Sequence, residues 1–162
     1  MLEQAALFAS LTPDELTALS TKLKQRRYDR DDILLQPGTV LQSLFLIGSG
    51  VLSVTWNKSG RDMEVLRFGP GDHFGGVGLL TEAASTATIT ALTPATVYEL
   101  PKDDLAPLLK DRPQIAQELC DTLAQRLAAG RVAEAKVGKT QSRAHLSIWF
   151  SERLRKVFRL DA

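Results

Sequence analysis

Between Lys24 and Tyr98 every apolar run is short, and a turn signal cuts each one off at roughly ten-residue spacing. Arg26-Arg27-Tyr28 meets Asp29-Arg30-Asp31-Asp32, and Ile33-Leu34-Leu35 meets Pro37-Gly38. Leu44–Ile47 runs into Gly48-Ser49-Gly50, and Val51–Trp56 into Asn57-Lys58-Ser59-Gly60. Glu64–Phe68 leads to Gly69-Pro70-Gly71-Asp72, and Ala95–Leu100 closes the series. Runs this short suit strands better than helices, and their even punctuation predicts a β-sandwich or barrel. One stretch invites a different reading. Gln36 to Asn57 holds no charged residue over 22 positions, long enough for a membrane helix. Pro37, the Gly and Ser residues between Gly48 and Ser53, and the alternating pattern fit two strands and a turn better.

Helical patterns flank this region. Thr12-Pro13-Asp14-Glu15 combines an N-cap hydroxyl, a proline at the first helical position and a capping-box glutamate, and Leu16, Leu19 and Leu23 carry the apolar stripe onward. Lys102 opens a short helix, and Pro113 a longer one with Ile115, Leu119, Leu123 and Leu127 on one side. Gly130 to Ser142 reads as a link. Its Gly138-Lys139-Thr140 lacks the upstream glycine and strand of a P-loop. Ala144 to Leu160 recovers helical period, with Leu146, Trp149, Phe150, Leu154, Val157 and Phe158 on one side.

Charge divides the chain in the same place. The net charge is +1, yet from Arg131 to Ala162 eight Lys or Arg stand against three Asp or Glu. We therefore expect a domain over 1–129 and a basic helical extension over 130–162 that moves relative to it. A basic amphipathic helix suits a membrane surface, an acidic partner or a second copy of the chain, and equally it can fold back on its own barrel. The absence of a basic N-terminal region before an apolar run gives no sign of a signal peptide, and the lone Cys120 excludes an internal disulfide; both fit a cytoplasmic protein. Cys120 falls on the apolar side of its helix, as a small buried hydrophobe does. The only histidines, His73 and His145, lie 72 residues apart, and the turn position of His73 predicts exposure. They cannot furnish the convergent histidines of a metal enzyme, and no nucleophile–base pairing stands out, so we expect no catalysis and no metal.

The stretch from Gly69 to Ala91 carries the functional signal. Gly75, Gly76 and Gly78 allow successive backbone N–H groups to face one concavity, an arrangement that attracts phosphate, although such turns also simply reverse the chain. Ser85-Thr86-Ala87-Thr88-Ile89-Thr90-Ala91 alternates like a strand with one buried face.

Phe74-Gly75-Gly76-Val77-Gly78-Leu79-Leu80, followed by Ser85-Thr86-Ala87, resembles the phosphate-binding cassette of the cyclic nucleotide-binding domain family. The resemblance covers about Leu7 to Leu127. It implies a mainly β fold with flanking α, an antiparallel β-roll (jelly-roll-like) from about Lys24 to Leu100 with an N-terminal helix and C-terminal helices. It further implies a regulatory sensor whose ligand is cyclic AMP or cyclic GMP, with Leu123 and Leu127 on the helix that lids it. Two positions depart from the family pattern. Gly76 stands where the family carries the glutamate for the ribose hydroxyl, and Ser85 where it carries the arginine for the cyclic phosphate. Affinity for a cyclic nucleotide is therefore expected to be weak or absent, a small anion remains an alternative ligand, and Arg67 and Arg126 are the cations left to reach it. DNA-binding relatives need a winged helix-turn-helix after the long helix, and the single basic helix here predicts no specific DNA binding. The expected role is control of a fused or associated effector protein, the alternative a non-binding barrel for protein–protein contact or oligomerisation. The order of barrel and basic helix also resembles the cytoplasmic end of mechanosensitive-like channels.

Overall fold

The computed structural model describes residues 5–128 and 143–158. A single turn of 3-10 helix, Ala6–Phe8, precedes α1 (Pro13–Ser20). Thr12 caps α1 as its sequence predicts: its hydroxyl accepts from Glu15 N–H, and the Glu15 carboxylate accepts from Thr12 N–H. Eight strands follow: β1 (Lys24–Tyr28), β2 (Ile33–Leu35), β3 (Ser43–Ser49), β4 (Leu52–Lys58), β5 (Arg61–Phe68), β6 (His73–Phe74), β7 (Ala87–Ala91) and β8 (Ala95–Pro101). Between β6 and β7 the chain forms a short helix, α2 (Gly76–Thr81). Then come α3 (Lys102–Asp111), α4 (Pro113–Ala128) and α5 (Arg143–Phe158).

The strands form two four-stranded sheets, ordered β1-β8-β3-β6 and β2-β7-β4-β5, and every pairing is antiparallel. This is the expected β-roll with flanking helices. The uncharged stretch that rivals a membrane helix supplies β3 and β4. Among the described residues no helix is long and apolar enough to cross a membrane.

Side-chain alternation sorts the interior into two clusters. On β3, Phe45 and Ile47 point between the sheets, while Leu44 and Leu46 point outward to the helices. On β7, Ala87, Ile89 and Ala91 are buried and the threonines between them are half-buried, the period-two pattern that their sequence predicts. The inner cluster fills the roll. The outer one joins the back of the first sheet to α1, α2, α3, α4 and α5 through Phe8, Leu105, Leu119 and Phe150.

The basic helix α5 lays its apolar side on the rest of the chain: Phe150, Leu154 and Phe158 are buried, and Arg153 Nε donates to the Leu80 carbonyl at 3.1 Å. Ser147 Oγ donates to Asp121 on α4. The fold-back alternative thus describes where this helix sits. The link read over Gly130–Ser142, with its Gly-Lys-Thr, falls outside the described residues. So do the side chains of His145 and Leu146. Cys120 is buried, as expected, and burial pushes its thiol up to about 11. His73 corrects an expectation. It is 5% exposed, because β6 pairs it with Leu46 of β3 and Arg126 lies against its backbone.

Candidate ligand-binding site

A kink at Gly75 builds the site. Its φ of +96° lies in the left-handed region, and a Cβ there would stand 2.5 Å from the Ser43 carbonyl oxygen. Only glycine allows β6 to turn this tightly into α2 against β3. From that corner α2 runs inward with Gly76, Val77, Gly78, Leu79 and Leu80 all buried. The chain returns through Ser85 into β7, and the return is pinned by the Pro37-Gly38 turn. Gly38 N–H donates to Ser85 O at 2.7 Å, and Ser85 N–H to Thr39 O at 2.8 Å.

Together these segments wall an open cavity at one end of the inner cluster. Phe74, Gly75, Gly76, Val77 and Gly78 line it from the cassette, Ser85 and Ala87 from the return, and Leu123 from α4. The remaining wall is largely apolar, with Val54, Trp56, Leu66 and Phe68 from β4 and β5 and Ile89 from β7. Other residues that the sequence nominates stand elsewhere. Leu79 and Leu80 are buried in the outer cluster, Thr86 is exposed, and Leu127 is half-buried among the helices; none of them lines the cavity.

The two departures from the family pattern take physical form here. Ser85 is 7% exposed, and its hydroxyl is occupied locally: Oγ donates to Ala87 O at 3.1 Å and accepts from Ala87 N–H at 3.0 Å. Beside Gly76, α4 closes in. A Cβ at that position would lie 3.2 Å from both Leu123 methyls and 3.3 Å from a Leu119 methyl. Among the described residues that line the cavity there is no carboxylate, and Leu123 and Leu119 crowd the position of any side chain at 76.

Of the two remaining cations, only Arg126 is at the cavity. Arg67 is exposed on β5, where its Nε donates to Glu64 at 2.6 Å. Arg126 reaches over from α4, its guanidinium carbon 5.0 Å from the centre of the Phe68 ring. One of its amines donates to the His73 carbonyl at 2.8 Å. Burial lowers its pKa, an effect that the negative charge of Asp72 partly offsets. Among the described residues no carboxylate lies within salt-bridge distance of it.

Sequence reasoning did not nominate Trp56. Its indole Nε1 is buried without a hydrogen-bond partner, and the residue lines the same cavity as Arg126. The signal is faint but present, since Leu52, Val54 and Trp56 follow the inward period of β4. His73 Nδ1 is likewise buried and unpartnered. Burial first, and then the positive charge of Arg126, lower its pKa to about 3, so the ring is neutral near pH 7.

Two antiparallel sheets, a short buried helix between β6 and β7, and a long helix beside the cavity define a β-roll with flanking helices. The chain belongs to the cyclic nucleotide-binding domain family, whose sequence model matches residues 25–112. It is 32% identical over 109 residues to the mouse (Mus musculus) potassium/sodium hyperpolarization-activated cyclic nucleotide-gated channel 2, covering 67% of this chain and 12% of the channel. The crystal structure of Thermus thermophilus catabolite activator protein superposes with a TM-score of 0.68 at 28% identity, covering 75% of this chain and 57% of that one. The regulatory domain of Toxoplasma gondii PKA, crystallised with cAMP, superposes with a TM-score of 0.62 at 26% identity, covering 78% of this chain and 48% of the other. The chain thus spans a small part of the channel and about half of each of the two structural relatives.

Proposed function

We propose that this chain is a ligand-sensing regulatory module in which α4 and α5 report the state of the cavity to an effector. The close packing at Gly76, where even an added Cβ would stand 3.2–3.3 Å from methyls of Leu123 and Leu119, carries this reading. A cassette helix seated directly against α4 cannot shift to admit a ligand without displacing α4. The bond from Arg153 to Leu80 extends the same coupling to α5. Packed elements of this kind switch between discrete arrangements rather than deforming smoothly. A noncatalytic role fits the names of the three relatives described above, a gated channel, an activator and a kinase regulatory domain.

Within this reading cyclic nucleotides bind weakly or not at all. An arginine–phosphate pair in a desolvated site is worth on the order of 2–5 kcal/mol. A hydrogen bond to a charged acceptor adds roughly 1.5–3 kcal/mol. Lacking both, the cavity should fall short of a micromolar site by at least ~300-fold. Isothermal titration with cyclic AMP and cyclic GMP, set against a non-cyclic nucleotide, tests this. No saturable heat at micromolar concentrations is the expected result. Micromolar binding of either cyclic nucleotide would show that the backbone and Arg126 suffice without the two missing anchors.

A further inference from the structure

Two donors on residues that line the cavity lack a full set of acceptors among the described residues: the half-buried Arg126 guanidinium and the buried Trp56 indole N–H. Arg126 uses one amine on the His73 carbonyl and has no carboxylate partner among the described residues, while Trp56 Nε1–H has no partner. Burying a donor without an acceptor is unfavourable, and the Asp72 charge offsets only part of what burial costs the Arg126 cation. The Ser85 hydroxyl is already satisfied on Ala87, so it adds little. Everything else facing the cavity is hydrocarbon, aromatic ring or backbone, apart from the Thr39 side chain. Phe68 holds the guanidinium by a cation–π contact, and the bond to the His73 carbonyl uses a single amine of its several N–H donors.

These features describe a complementary molecule: one negative charge on an otherwise apolar body. We infer that the cavity takes a small hydrophobic carboxylic acid in its ionised form, its carboxylate held by Arg126 and the Trp56 indole N–H. A cyclic nucleotide also carries one charge, but its ribose and base bring further polar groups, and the lining offers them few side-chain partners beyond Thr39 and Ser85. A carboxylate matches a guanidinium in two parallel hydrogen bonds and asks nothing polar of the remaining wall. This assignment rests on the cavity being the sensor's ligand site.

Titration of the protein with octanoate and phenylacetate, each against the alcohol of the same carbon skeleton, separates charge recognition from greasy binding. Cyclic AMP is titrated in parallel. Each acid is expected to bind roughly 10- to 100-fold more tightly than its alcohol, the range for a hydrogen bond to a charged group. Arg126→Gln should erase that preference and Arg126→Lys restore part of it, with circular dichroism confirming that both variants fold. Trp56→Phe should weaken the acids several-fold and leave the alcohols unchanged. If acid and alcohol bind alike, or if Arg126→Gln leaves the preference intact, the assigned anchor is wrong while the sensor reading stands. Binding of cyclic AMP but of neither acid overturns the ligand class and again keeps the sensor. If nothing binds, both readings fall and the non-binding barrel is the better account.

Discussion

His73 shows how much the environment of one side chain decides. Its ring is enclosed beside a cation and has lost the ability to take a proton in the folded state until the pH nears 3. The unfolded chain accepts that proton around the ordinary histidine value, about 6.5. Since the folded value is the lower, the unfolded state binds more protons between the two, and stability falls as the pH drops through that window. The loss should amount to about 2 kcal/mol between pH 7 and pH 5, at ~1.4 kcal/mol per unit. Urea titrations at the two pH values measure it, and His73→Phe should remove most of the difference. The backbone bond from Arg126 survives that substitution, because it uses the carbonyl and not the ring. A histidine next to Gly71-Asp72 has the local composition of an exposed turn, which is why the sequence misdirects here. Its burial comes from pairing with β3 and from a helix whose contact residue lies 53 positions away. Arg126 shares that obscurity. The sequence offers it only as one of two cations, and the path of α4 then separates it from Arg67. By contrast Thr12, Gly75 and the β7 alternation act through neighbours within a few residues, and their roles can be read directly.

At the scale of elements, α5 is the informative case. Its charge and its distance from the family framework suggest an independent appendage, yet its apolar side is committed to the outer cluster. Phe150→Ala should cost about 3–5 kcal/mol if that packing contributes as a buried core aromatic does. The cost should appear as a lower denaturation midpoint. Hydrogen exchange should then show α4 and α5 opening as one unit, sooner than β3, β4 and β8, which lie inside paired sheets. Simultaneous exchange of helices and strands would argue against a separable reporting unit. The strands were the legible part: each is bounded by turn residues that act locally. Helix α2 was not, because three of its first turn's neighbouring positions are glycine, and propensity opposes a helix there. It forms because Val77, Leu79 and Leu80 are buried on arrival.

Over the whole molecule, restoring the family's charged pair asks more than two substitutions. Ser85→Arg with Gly76→Glu brings back the phosphate and ribose partners, and a Cβ at 76 requires Leu119 and Leu123 to yield by a few tenths of an ångström. The double variant should gain cyclic AMP affinity and lose stability, overpacking typically costing 1–3 kcal/mol. Adding Leu123→Ala should relieve the crowding and raise affinity further. Calorimetry for binding and thermal melts for stability read the two effects separately. A double variant that binds no better than the parent would mean that the roll itself has been remodelled around another ligand.

The division of the interior into two clusters has a consequence for how such a protein can change over generations. If the cavity is the ligand site proposed above, ligand chemistry belongs to the inner cluster, with residues such as Val54, Trp56, Phe68 and Ile89. On the proposed reading, output belongs to the outer one, with Leu80, Leu119 and Phe150. The two meet along the short cassette helix, where Val77 belongs to the outer cluster and still lines the cavity. Inner residues can therefore drift toward a new ligand while the reporting surface keeps its shape, and a new effector can be recruited without retuning what is sensed.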